Sequence, residues 1–127
     1  MEIELTNTFE LTNTFEGAAI KKVVLNEGIE VIPMHAFDSS TIQEVKLPST
    51  ITTIESYAFS GCNKLVNIEL PTNLLGLDDS CFADSGLISI AIPDSVTFLG
   101  NNAFNSSSLQ EIHLGNGIKT IPKSCFR

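Results

Sequence analysis

The chain has no tryptophan, one tyrosine, two histidines, and seven basic residues against fifteen acidic ones. Each scarcity closes a class of function. At a net charge of −8 the sequence lacks the clustered Lys and Arg that displace counterions from a phosphate backbone, so no nucleic-acid partner is expected. An anionic membrane surface is disfavoured for the same reason. The longest apolar stretch, Leu87-Ile88-Ser89-Ile90-Ala91-Ile92, falls far short of the roughly 18 residues of a spanning helix, and no membrane insertion is expected. Met1-Glu2-Ile3-Glu4 has neither the basic start nor the apolar core of a secretory signal. His35 and His113 lack the partners that would make one of them the base for a nucleophilic serine. There is no glycine-rich phosphate loop. No catalytic residue and no cofactor are therefore expected. Asp78, Asp79 and Asp84 are the densest acids, but without the ligand spacing of a calcium loop they read as turn caps and solvated charge, not a metal site.

What is present is a repeat. Ala36-Phe37, Ala58-Phe59, Cys81-Phe82, Ala103-Phe104 and Cys125-Phe126 recur at intervals of 22, 23, 22 and 22 residues. A fixed period of this size marks a solenoid, in which each coil buries its apolar side only against its neighbours. The coils span residues 20–41, 42–64, 65–86, 87–108 and 109–127, and the second is one residue longer than the first, third and fourth. Its apolar ladder is Ile42, Val45, Leu47, Ile51, Ile54 and Phe59, and the other four coils place an apolar residue at every equivalent position.

The local chemistry gives each coil three sides. Val45-Lys46-Leu47 and its equivalents alternate inward and outward and read as a strand of a parallel sheet. Pro48, Pro71 and Pro93 then close the ladder, while the outer coils place Gly28 and Gly117 at that corner, where a positive φ is tolerated. Ile51-Thr52-Thr53-Ile54 reads as a short second strand. The residues before each Phe read as one tight 3-10 or helical turn, with Pro33 and Pro122 at its first position and Glu55 or Asp78-Asp79 supplying acids. Polar loops such as Asp38-Ser39-Ser40-Thr41 lead back to the next strand.

Residues 1–19 fall outside the 22-residue period and carry a tandem copy, Glu4-Leu5-Thr6-Asn7-Thr8-Phe9 and Glu10-Leu11-Thr12-Asn13-Thr14-Phe15. Leu and Phe on alternate positions predict a strand or hairpin, serving as an N-terminal cap or a degenerate coil. Three cysteines cannot all pair within the chain. Cys81 and Cys125, standing in the Ala position two coils apart and so about 9 to 10 Å from each other, are expected to be buried free thiols. Cys62, in the longer coil, is expected to be the most exposed. Val31, Leu75 and Phe98 occupy outward positions of the second side, and Phe98 is expected to be partly covered by a neighbouring loop.

The ladder Leu-x-x-Ile-x-Leu-Pro-x-x-Ile-x-x-Ile-x-x-x-Ala-Phe resembles the BspA-type, or treponemal-type, leucine-rich repeat over residues 20–126. The resemblance implies a right-handed, mainly β, leucine-rich-repeat solenoid. It also implies a module of secreted or surface-attached proteins, some of them adhesins for host matrix or plasma proteins. It carries no catalytic motif. In such solenoids the outward face of the first sheet is the usual concave binding surface, which predicts two columns of candidate protein-binding residues. One is Lys22, Glu44, Asn67, Ser89 and Glu111; the other is Val24, Lys46, Glu69, Ala91 and His113. Charges are mixed and no aromatic anchor is present, so a weak contact spread over the face is expected in place of a small tight site. The chain stops at Arg127, where another coil would begin, and is expected to be a piece of a longer array. The functional expectation is a non-catalytic protein-binding module. Its alternative is a structural spacer that self-associates through the terminal coil.

Overall fold

The structure is a computed structural model and describes residues 2–5, 15, 17 and 19–126. Alternating apolar residues produce short strands on the flat sides of most coils: β1 (Glu2–Leu5), β2 (Lys22–Leu25), β3 (Val31–Ile32), β4 (Glu44–Lys46), β5 (Thr53–Ile54), β6 (Gly76–Leu77), β7 (Ser89–Ala91), β8 (Phe98–Leu99) and β9 (Glu111–His113). Every pairing is parallel, in the orders β1-β2-β4 and β7-β9 on the first side and β3-β5-β6-β8 on the second. The fold is a parallel β-solenoid with a repeat of about 22 residues, of the leucine-rich-repeat type. Corners follow the first strand as tight turns, in which Ile51 N–H bonds to Pro48 C=O at 3.3 Å and Val96 N–H to Pro93 C=O at 3.1 Å. Gly28 does sit at φ 109°. Gly117 does not share that conformation. It is small because a Cβ there would lie 2.4 Å from the carbonyl oxygens of Asp94 and Val96.

The third side departs from the expected helical turn. His35, Tyr57, Ser80, Asn102 and Ser124, each two residues before a Phe, all have φ near +60°. Ser39, Gly61, Asp84 and Ser106, two residues after it, do the same. A left-handed residue at every such position prevents a helical run. The energetic return is a ladder between coils. His35, Phe37 and Ser39 donate their N–H groups to the carbonyls of Ser56, Ala58 and Ser60 at 3.2, 2.8 and 2.7 Å, and the next two junctions repeat the pattern. The segment is thus a chain of turns locked sideways onto its neighbours, which satisfies main-chain groups that lie next to the core.

That ladder carries the phenylalanine column. Phe37, Phe59, Phe82 and Phe104 are fully buried, and successive rings stack nearly parallel with centroids 5.2, 5.3 and 5.5 Å apart. The column also extends back to Phe15, which lies 5.6 Å from Phe37. At the same end β1 pairs in parallel with β2, Glu2 opposite Lys22. The remainder of the duplicated hexapeptide, and with it the hairpin alternative, lies outside the described residues.

Coil two, the longer one, perturbs its successor. Its added residue is absorbed in a bulge where Asn63 N–H bonds to Gly61 C=O at 2.9 Å and Leu65 N–H to Cys62 C=O at 3.1 Å. The bulge presses on coil three at Gly86, where a Cβ would stand 2.3 Å from the Asn63 carbonyl oxygen. The repeat template predicts a first-side strand at 67–70 in coil three, and none forms: Leu65, Ile68 and Leu70 stay in the core, but the backbone between them joins no sheet. The bulge also turns Cys62 inward, correcting the expectation that it is the exposed thiol. Cys62 is fully buried and donates to the Phe37 carbonyl at 3.0 Å, and burial pushes its pKa up to about 11, only partly offset by hydrogen bonds from Ser40. Cys81 and Cys125 are also buried and free.

Because the Phe column sits at the junction of all three sides, Phe59→Ala is expected to cost about 3 to 5 kcal/mol, the usual range for a deleted buried aromatic. Denaturant titration measures it, and a loss below about 1 kcal/mol would mean the stack contributes little.

Candidate interaction surfaces

Period-two alternation on the first side sends every second side chain to solvent, and the register aligns those side chains between coils. Lys22 lies opposite Glu44, and Val24 opposite Lys46. Ser89 lies opposite Glu111, and Ala91 opposite His113. Eight of the ten expected residues are exposed, and Lys22 and Val24 are half-buried. Within the columns Lys22 Nζ stands 3.5 Å from Glu44 Oε2, and His113 Nε2 lies 2.9 Å from Glu111 Oε1. Asn67 and Glu69 are exposed too, but on the coil that joins neither part of the sheet. The face therefore falls into two parts, β1-β2-β4 and β7-β9, with coil three between them.

Two open hollows accompany this break. One, of about 790 Å³, is lined by Lys21, Lys22, Gln43, Glu44, Lys64, Val66 and Asn67. The other, of about 590 Å³, lies between the strand of coil two and residues 67–72 and includes Lys46 and Glu69. Sequence reading misses the first because Lys21 and Lys64 belong to no outward column. They lie where one coil passes into the next, and only stacking brings them together.

A second feature also escapes the sequence pattern. His35 and Tyr57 stack on the third side with centroids 5.1 Å apart and planes within 7°, and His35 Nδ1 lies 2.7 Å from Asp38 Oδ2. Tyr57 is 42% exposed and the adjacent Met34 51%, so the aromatic surface absent from the first face is present here. The signal is in the sequence, since the two rings occupy one repeat position. On the second side Phe98 is half exposed, its ring resting against Gly76 of the adjoining coil on one flank and bordering a shallow hollow with Lys119, Thr120 and Pro122 on the other.

Carboxylates cluster at the corner between the second and third sides. Glu55 Oε1 accepts Met34 N–H at 3.1 Å, and Asp79 Oδ1 accepts Asn101 N–H at 2.8 Å. At the corner after the first strand Asp94 accepts Asn116 N–H in the same way, so these acids serve as caps reaching across to a neighbouring coil. Asp84 is exposed beyond the Phe. Asp78 has its pKa raised, first by burial and then by the charges of Glu55 and Asp79. Among the described residues no group of three His, Cys, Asp or Glu is placed to hold a metal ion, and no helix is long and apolar enough to cross a membrane.

Stacked parallel coils, an inner aromatic column and an outward first sheet of polar columns define a leucine-rich-repeat solenoid. The chain belongs to the BspA type leucine rich repeat family, whose pattern matches residues 11–127 in six copies. It is similar to a leucine-rich repeat protein from Bacteroides ovatus at 26% identity and TM-score 0.77, covering 82% of this chain and 28% of that one. It is likewise similar to the T. pallidum leucine rich repeat protein, at 27% identity and TM-score 0.77, covering 87% of this chain and 51% of that one. A third likeness is to the pneumococcal vaccine antigen PcpA, at 27% identity and TM-score 0.78, covering 90% of this chain and 31% of that one. In each case the chain spans about half or less of the solved protein's length. No curated protein sequence matches it.

The raised Asp78 pKa means that the folded chain holds this proton more tightly than the unfolded chain does. Its carboxylate therefore lowers stability above the ordinary carboxylate range, and the penalty is absent below it. Asp78→Asn is expected to raise the melting temperature at pH 7, with the advantage closing as the pH falls to about 3. An unchanged melting temperature at pH 7 would remove the electrostatic cost assigned to this corner.

Proposed function

We propose that this chain is a non-catalytic protein-binding module that presents the first side of its solenoid to a partner, as an adhesin-like part of a secreted or surface-displayed protein. The observation that carries this reading is the alignment of outward, mixed-charge side chains on the two parts of the first side, Lys22 with Glu44 and Val24 with Lys46 on one, Ser89 with Glu111 and Ala91 with His113 on the other. Support comes from the family pattern and from the likeness to a bacterial antigen built on the same coil. The face mixes two Lys and three Glu with small and neutral residues and has no aromatic anchor, a composition suited to many modest contacts and to electrostatic orientation of a partner more than to one deep pocket. Lys46→Glu and Glu69→Lys, made separately, are expected to weaken capture on a panel of immobilised host matrix and plasma proteins several-fold. Unchanged capture by both variants would remove the first side from the binding reading.

A structural reading is favoured by one different observation. In the fifth coil Leu114, Ile121 and Phe126 are 41%, 50% and 38% exposed, whereas Ile92, Leu99 and Phe104 at the same positions of the fourth are 3%, 7% and 0% exposed. Apolar side chains exposed on this coil are what a further coil would cover, and a second molecule can supply one. Static light scattering over a wide concentration range distinguishes the readings: growth in mass with concentration, reduced by Ile121→Lys, is expected if the chain self-associates, and constant monomer mass at high concentration rejects it.

A further inference from the structure

The break in the first sheet has a chemical character of its own. Between coils four and five Ile92 N–H bonds to His113 C=O at 2.8 Å and Gln110 N–H to Ile88 C=O at 2.7 Å, and between coils one and two Gln43 N–H bonds to Lys21 C=O at 2.9 Å. The counterparts between coils two and three would join Leu47 to Glu69 and Val66 to Gln43. Among the described residues neither bond is made, and no main-chain bond joins residues 44–47 to 66–70. On the other two sides the same pair of coils is fully tied, by Thr53 opposite Gly76 and by Phe59 N–H to Cys81 C=O at 2.8 Å. The coils are thus hinged apart on one side only, next to the bulge that absorbs the extra residue of coil two. The result is a strand, β4, with one edge paired to β2 and the other facing a groove.

The charge around the groove is unlike that of the rest of the molecule. In a chain of net charge −8, Lys21, Lys22 and Lys64 surround the upper hollow, where the sole carboxylate is Glu44, while in its lower continuation Lys46 stands with Glu44 and Glu69. Lys21 and Lys64 are exposed, and Val66, 43% exposed, adds an apolar spot between them. A free strand edge recognises extended main chain, and a ring of ammonium groups recognises carboxylates. We propose that the groove between coils two and three takes an extended acidic segment of a partner protein, which pairs its main chain with the open edge of β4 and sets its carboxylates against Lys21 and Lys64. This rests on the reading of the first side as the binding surface and narrows it to one site and one partner chemistry.

The test uses a fluorescein-labelled octapeptide of alternating glutamate and valine, titrated with the whole chain and followed by fluorescence anisotropy. Binding is expected, weakening at least tenfold between about 20 and 300 mM salt, as screening of exposed charges requires. At least tenfold loss is also expected with the Lys21→Glu/Lys64→Glu double variant, with a peptide methylated on alternate main-chain nitrogens, and on deletion of Asn63, which restores the 22-residue period and closes the groove. Circular dichroism and thermal melting confirm that each variant folds; both lysines are exposed, so the double variant keeps the test decisive if the deletion does not fold. Absence of binding at millimolar peptide overturns the proposal. So does binding indifferent to the double variant or to main-chain methylation, or a sulfated oligosaccharide binding at these lysines where the peptide does not. If the peptide fails while Lys46→Glu or Glu69→Lys still reduces capture of a host protein, the groove is rejected and the first-side reading stands. If all of them fail, both fall.

Discussion

Every coil must have the same rise on three sides at once, and the phenylalanine stack is where the sides are held to it. Ring centroids 5.2 to 5.6 Å apart lie close to the spacing of paired strands, about 4.8 Å, so the rings can repeat at the ladder's rise with a small sideways slip. Each ring covers the next, and the main-chain ladder of the third side holds the pair in place. With that side fixed, the first and second sheets inherit a common rise, and side chains one repeat apart fall into columns. The columns of the first side, the Leu, Ile and Val columns of the core and the His35–Tyr57 pair all derive from this one constraint.

Much of this is legible in the sequence, because a repeating pattern is read from many copies at once. The apolar ladder, the strand of the first side, the proline corners and the ten outward residues need only periods of two and 22 residues. The third side is not legible, for a reason visible in its residues. Ser39, Tyr57 and Ser80 have little intrinsic preference for left-handed backbone, and only the hydrogen bonds to the neighbouring coil make that conformation worth adopting. Local propensity suggests a helical turn; tertiary pairing overrides it. Cys62 misleads for a related reason, since a longer coil suggests a loop pushed outward, whereas the surplus is folded into a bulge at Asn63 and the thiol turned in.

The one-residue surplus of coil two also shows how a solenoid distributes a defect. The second and third sides of coils two and three remain bonded, and the burial of Leu65, Ile68 and Leu70 is kept. The first side gives way because it follows the bulge directly in the chain, and its exposed main chain loses bonds that water can replace while the inward side chains stay packed. The place where regularity fails is also where Lys21, Lys22 and Lys64 converge, a grouping that no single coil contains. A surface that is repetitive elsewhere acquires one distinct locality.

The left-handed positions flanking each phenylalanine have an implication for what such coils can become. At φ near +60° a side chain branched at Cβ meets the backbone, and the ten residues two before or after a Phe that adopt this conformation are His35, Ser39, Tyr57, Gly61, Ser80, Asp84, Asn102, Ser106, Ser124 and Gly17, with no Val, Ile or Thr among them. These positions form a filter that admits aromatic, acidic, amide and hydroxyl groups and rejects the residues on which the neighbouring strands are built. Drift can therefore repaint the third side with polar or aromatic chemistry without letting it convert into a third conventional sheet, and a designer adding coils would have two positions per repeat at which the surface is free to vary in everything except branching.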